Sequence, residues 1–252
     1  MPRKGKSYYI GSQGPDDGAI QTGVKWLYQK AQAIGKPALI AVSTKGILEN
    51  IQWATYATLF IALKRNDEAV VASVQFKLMT LRSKVWRWDG PALVIYGGQG
   101  LLDAVDALEG NIDVLYIPWT GNDGDGWIAT WNAQKLGGQG EGEARNADVL
   151  PRVAEEALAR LTRIVNLWTG IGHPGDYDQA VRTIETLIRK GALADAELVR
   201  QDLIRRGWQP AHAQKVSDLA SKLLDGRRPR GSTGAADERL WALWQEKAEG
   251  SE

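Results

Sequence analysis

Four short stretches of this chain carry residue types suited to holding an anion. They are Gly11-Ser12-Gln13-Gly14, Ser43-Thr44-Lys45-Gly46, Gly97-Gly98-Gln99-Gly100 and Trp119-Thr120-Gly121-Asn122-Asp123, and each follows an apolar or aromatic run. Glycine lets a backbone approach a phosphate closely, and a helix N-terminus supplies unpaired N–H groups and the positive end of a dipole. Lys45 adds a cation at the same level. A phosphorylated or nucleotide-like ligand would therefore meet Ser12, Ser43, Thr44, Lys45, Gly97, Gly98, Gln99 and Thr120. No stretch matches GxGxxG or the GxxxxGK pattern that ends in Ser or Thr. Short strand-to-helix loops also need Gly, Ser and Thr simply to turn. Gly97-Gly98 is the stronger glycine pair, because two adjacent glycines exceed what a turn requires.

Asp123 and Asp125 lie in the run Thr120-Gly-Asn-Asp-Gly-Asp-Gly126. An EF-hand register places Gly121 at its first position and Asn132 at its twelfth, so the first ligand and the bidentate Glu are both missing. A single Mg²⁺ shared by Asp123 or Asp125 with a ligand phosphate is one reading. Capping of the following helix by Asp125 is the other, and the commoner one. Asp16 and Asp17 carry the same pair of readings. Nucleophilic chemistry has little support. There is no GxSxG elbow, and the two histidines, His173 and His212, stand in the second half of the chain.

Two basic patches suggest nucleic acid. Gln75 to Trp88 places Lys77, Arg82, Lys84 and Arg87 among Phe76, Trp86 and Trp88, with no acid. Basic residues interleaved with aromatics suit a single strand, whose bases stack while its phosphates pair. Lys and Arg also protect edge strands against aggregation. In the second half, Gly207-Trp208-Gln209-Pro210 separates two helical stretches as in a helix–turn–helix. His212, Gln214 and Lys215 would then face bases, and Arg205, Arg206, Arg227, Arg228 and Arg230 would face phosphates. Residues 151–230 hold fourteen Lys and Arg against ten Asp and Glu, whereas residues 101–148 hold two against nine. That excess is modest beside DNA-binding domains, and three-helix units are also common as plain packing modules.

The elements that position these residues follow from a near-repeat. Pro37 to Ile51 (PALIAVSTKGILENI) aligns without a gap on Pro91 to Val105 (PALVIYGGQGLLDAV). Each copy is a branched apolar run, a small polar loop and a helix start, which is half of a βαβ unit. Strands are expected at Ser7–Ile10, Leu39–Val42, Leu93–Tyr96 and Asp113–Ile117. Helices are expected near Ala19–Ala33, Ile47–Leu63, from after Gly100 to Leu108, and at Trp127–Leu136. Val74, Phe76 and Leu78 alternate with Gln75 and Lys77, so the region from Ala69 to Trp88 reads as an extended edge ribbon. Alternating strands and helices imply a parallel sheet with right-handed crossovers. The fold class is thus α/β, a Rossmann-like parallel sheet with a mixed edge over residues 1–137. A Gly-rich linker follows at 138–148. An all-α domain covers 149–226, with helices near 150–167, 178–190, 194–206 and 211–224. A basic flexible break and a C-terminal helix occupy 227–252.

Bulk properties bound the function. The chain has 252 residues, a net charge of +1 and no cysteine. The absence of cysteine removes disulfides, thiolate zinc sites and cysteine nucleophiles. No apolar stretch approaches a membrane span and no signal peptide is visible, so the expected location is cytoplasmic. Eleven tryptophans against two phenylalanines suggest indole-rich core packing. The leading reading is a non-catalytic binding protein that takes a phosphate-bearing ligand, DNA or RNA, with no cofactor. One alternative is a Mg²⁺-dependent enzyme acting on a nucleotide or phosphoester through loop aspartates. Another is an assembly protein that docks a partner through residues 237–252, where Leu240, Trp241, Leu243 and Trp244 gather.

Overall fold

The computed structural model describes residues 5–12, 14–51, 56–83, 85–137 and 149–250. Lys84 and the stretch 138–148 lie outside them. The chain divides into two compact units, Arg3–Arg145 and Asn146–Glu252.

The first unit is a mixed α/β layer structure. Its strands are β1 (Ser7–Tyr9), β2 (Ala38–Ala41), β3 (Glu68–Val71), β4 (Val74–Met79), β5 (Ala92–Ile95), β6 (Val114–Ile117) and β7 (Gln134–Lys135). Its helices are α1 (Asp17–Ile34), α2 (Gly46–Asn50), α3 (Ala57–Asn66), α4 (Gln99–Asp106) and α5 (Asp125–Trp131). The seven strands form one sheet in the order β3-β4-β2-β5-β6-β1-β7. Only β3 runs antiparallel to its neighbour.

Strands β2, β5 and β6 are buried along their whole length, as their branched, two-sided apolar sequences require. One face of the sheet (Ala38, Ile40, Leu93, Ile95) is covered by the α1 stripe Ile20, Val24, Leu27 and Ala31 and by α3. The other face (Leu39, Ala41, Val94, Tyr116) is covered by α4 and Trp127 of α5. Helix α1 starts where the Asp16 carboxylate accepts the Ala19 N–H at 2.9 Å. It ends at Gly35, whose φ of 63° suits glycine.

The alternation from Val74 to Leu78 is a strand, with Val74, Phe76 and Leu78 inward. The ribbon is shorter than the expected span. It is a β3–β4 hairpin turned at Ala72 and Ser73, both with positive φ. Among the described residues of 80–88, sheet-like pairing is limited to an isolated bridge between Arg87 and Glu109. Two helices also differ from expectation. The stretch expected as Ile47–Leu63 contains two helices, with α2 ending at Asn50. The helix expected to reach Leu136 stops at Trp131, because Asn132 turns left-handed. Residues 134–135 then pair with β1 as β7.

The second unit is helical: α6 (Arg152–Ile164), α7 (Pro174–Arg189), α8 (Ala196–Arg205), α9 (Pro210–Leu224) and α10 (Glu238–Glu249), with a 3-10 turn at Gly170–Gly172. Helices α8 and α9 pack together, and α10 packs on α6 and α7. Trp208 is buried between helices, its indole N–H donating to Thr162 Oγ1 at 2.9 Å. No described helix is long and apolar enough to cross a membrane.

Candidate functional site

The two copies of the near-repeat are neighbours in the sheet. Strands β2 and β5 pair in parallel, Ile40 with Leu93 and Ala41 with Val94. The chain leaving β2 continues through α2 and α3 to β4 on one side. The chain leaving β5 continues through α4 to β6 on the other. The connections diverge at this pair, and in open α/β sheets a ligand crevice lies at such a point, beyond the carboxyl ends of the strands. Ser43 and Thr44 sit on one side of it, and Gly97, Gly98 and Gln99 on the other.

The two glycines differ in kind. A Cβ on Gly97 would come within 2.5 Å of Leu101 Cδ2, so Gly97 serves the packing of α4. A Cβ on Gly98 would meet nothing within 4 Å. Gly98 has φ −75° and ψ −178°, which any residue adopts, and it caps α4 without a side-chain hydrogen bond. Neither conformation nor crowding within the chain calls for glycine there. Gln99 bonds Asp103 at 2.7 Å along the helix.

Lys45 is not the free cation that the sequence suggests. Its ammonium lies 2.6 Å from Asp67 Oδ1 and also donates to the Lys64 carbonyl at 3.1 Å. Lys64 in turn pairs with Glu49. Ser43 and Thr44 do not cap the following helix. Lys45 holds the cap position, with no side-chain bond.

Beside the crevice, β1, β5 and β6 end in a knot of aromatic residues. Tyr96 follows β5 with φ +51°, a left-handed backbone that costs a non-glycine residue about 1 kcal/mol or more. Its hydroxyl accepts the Asp16 N–H at 2.8 Å. Burial raises the Tyr96 pKa, and the Asp16 N–H partly offsets this. Its ring meets Trp119 edge-on, with 4.9 Å between centroids. The Gly14 N–H donates to the Trp119 carbonyl at 2.7 Å. Ser12, on the same loop, has a buried hydroxyl oxygen with no hydrogen-bond partner among the described residues. Tyr116, fully buried in β6, donates its hydroxyl to the Gly97 carbonyl at 2.9 Å. Burial pushes the Tyr116 pKa up, and the charges of Asp123 and Asp125 add to it. Nothing in the local sequence marks Tyr96 or Tyr116, since both look like ordinary strand residues.

The aspartate loop is largely turn chemistry. Asp123 accepts the Thr120 N–H at 2.9 Å. Asp125 lies in the first turn of α5 rather than at its cap, which is Gly124. Among the described residues no three His, Asp or Glu side chains gather as metal ligands would. Asp106, by contrast, accepts both indole N–H groups of Trp127 and Trp131 at 3.2 and 2.8 Å. These two tryptophans are core and not platform.

The residues expected to meet nucleic acid are only partly available. In the first patch Phe76 and Trp88 are buried, and Trp86 alone of the three aromatics is open. Lys77 faces Glu68 across the hairpin at 3.7 Å, and Arg87 lies 3.6 Å from Asp89. Arg82 is exposed, and Lys84 lies outside the described residues. In the helical unit Arg206 forms a two-point pair with Asp202 at 2.5 and 3.1 Å. His212 packs on Gly170, where a Cβ would come within 2.7 Å of its ring. Gln214 bonds Asp218 at 2.8 Å. Arg205, Lys215, Arg227, Arg228 and Arg230 are exposed.

The segment expected as a flexible break is tied down. Glu185, buried on α7, accepts from Ser232 Oγ at 2.6 Å, from the Thr233 N–H at 3.0 Å and from the Gly234 N–H at 2.9 Å. Burial alone would raise its pKa, but these bonds outweigh burial and hold the carboxyl below its ordinary range. Asp237 then donates its backbone N–H to Thr186 and caps α10. Trp244, the centre of the apolar face expected to dock a partner, is fully buried within the molecule. No sequence signal links Glu185 to a loop some 48 residues further on.

Residues 150–245 match a protein family described as a domain of unknown function, DUF1889. No curated protein and no solved structure matches the chain.

Proposed function

We propose that residues 3–145 form a Rossmann-like binding domain that takes a phosphate-bearing ligand at the crevice between the β2 and β5 exits. One observation carries this reading. The two repeat loops stand side by side at the point where the sheet connections diverge, and Gly98 presents bare, open backbone at the start of α4. Backbone N–H groups and a helix dipole are the anion-binding means at this place, because Lys45 is already paired with Asp67. Ser43 and Thr44 supply hydroxyls around it. Binding rather than turnover is the proposal because both histidines lie beyond residue 145, leaving the crevice hydroxyls without an imidazole base from this unit.

Titration calorimetry with nucleotides and inorganic phosphate tests the reading. The protein is expected to bind, and Gly98→Glu to abolish binding by placing an anion where the phosphate would sit. The same change should leave the melting temperature nearly unchanged, because the added side chain meets open space. Gly97→Ala should instead lower stability through its clash with Leu101. Unaltered binding in Gly98→Glu would place the ligand elsewhere.

A second reading, contact of the helical unit with nucleic acid, rests on the exposed Arg205, Lys215, Arg227 and Arg230, none of which makes an ion pair among the described residues. It is a phosphate-holding surface and not a base-reading helix, since His212 and Gln214 are engaged.

A further inference from the structure

We infer that Trp119 is a stacking ledge for a planar ring, so that the ligand of the crevice is a nucleotide with its base on the indole and its phosphate toward Gly98. This deepens the binding reading above and rests on it for the phosphate end. Trp119 is 46% exposed, although it follows directly on a fully buried strand. An indole left half open still offers part of its ring to a planar partner. Its position is nonetheless fixed from two sides. Tyr96 meets it at 90°, and Gly14 approaches so closely that a Cβ there would lie 2.7 Å from the indole. Tyr96 is itself held in a left-handed backbone and bonded to the Asp16 N–H. Three strand exits thus converge to hold one half-open indole.

The ledge also adjoins the glycine loop through Tyr96. Tyr96 immediately precedes Gly97-Gly98, and Tyr116 fastens Gly97 to β6, the strand that leads to Trp119. An aromatic face takes a planar base whatever its hydrogen-bonding pattern. A sugar phosphate would leave Trp119 untouched, and so would inorganic phosphate. The exposed indoles Trp86 and Trp168 have no comparable ring partner among the described residues, and neither adjoins the glycine loop in sequence.

The test is calorimetric titration of the full chain with AMP, adenosine, ribose 5-phosphate and inorganic phosphate, using the wild type, Trp119→Ala, Trp119→Phe and Gly98→Glu. AMP is expected to bind more tightly than ribose 5-phosphate. Trp119→Ala should weaken AMP about tenfold, in keeping with the loss of one base stack, and leave ribose 5-phosphate unchanged. Trp119→Phe should retain most of the affinity and guard against a folding defect in the alanine variant. Fluorescence quenching by AMP should be smaller in Trp119→Phe than in wild type. Equal AMP affinity in wild type and Trp119→Ala would overturn the inference. So would ribose 5-phosphate binding as tightly as AMP, or no binding of either AMP or adenosine. If the phosphate reading alone fails, adenosine still binds in a Trp119-dependent way while Gly98→Glu has no effect.

Discussion

Single residues here act through what they exclude as much as through what they touch. Gly97 and Gly98 are alike in sequence, yet one is fixed by Leu101 and the other faces open space. No local pattern separates them, because the difference lies in a packing contact and not in the backbone. Glu185 gives a prediction at the same scale. A carboxyl held below its ordinary range stabilises the fold when ionised. That contribution is complete above the unfolded-state value of about 4.3 and is lost as pH falls through the folded value. The melting temperature of residues 149–252 should therefore drop below about pH 4, and Glu185→Gln should flatten that drop. Glu185→Ala should cost about 1–3 kcal/mol at neutral pH, since it leaves several part-buried donors without their acceptor. Thermal unfolding across pH 3–7 checks both. An equally steep acid limb in Glu185→Gln would contradict the role assigned to this carboxylate.

Secondary elements were legible where the pattern was local. The buried strands β2, β5 and β6, the period-two run of β4 and the stripe of α1 all follow from spacing of apolar residues. What escaped was set by tertiary contact. The α5 helix is cut short so that Gln134 and Lys135 can join the sheet. Lys45, a cation at a loop in sequence, is drawn off by Asp67 at the end of α3. Helices α8 and α9 show the same distinction between neighbouring charges. If their basic face holds DNA, Arg205→Glu with Lys215→Glu should abolish low-salt binding without lowering stability. Arg206→Ala should instead cost about 1–2 kcal/mol, a pair that keeps some solvent contact being worth less than a fully buried one. Mobility-shift assays at two salt concentrations, alongside melting curves, distinguish the two. Undiminished binding in the double variant would remove this surface as the contact.

At the scale of the whole molecule, the alternation of strand and helix followed by helices alone was visible in the sequence, whereas the strand order was not. The helical unit extends through the last helix, because Ser232 to Gly234 bond a buried carboxylate and Trp244 is fully enclosed. A fragment of residues 149–250 is expected to unfold cooperatively. One of residues 149–226 should have a much lower melting temperature, and Trp244→Ala in the full chain should cost about 3–5 kcal/mol. Circular dichroism of the three proteins tests this; a stable 149–226 fragment would refute it. The sheet has a further consequence, for the order of events at birth. Strand β1 is made first but lies between β6 and β7, and Lys6 finds its partner Asp113 only 107 residues later. Strand β1 must therefore wait, unpaired, until the chain has reached β6, nearly half its length. Closing the sheet is a late, long-range step of the kind that slows folding.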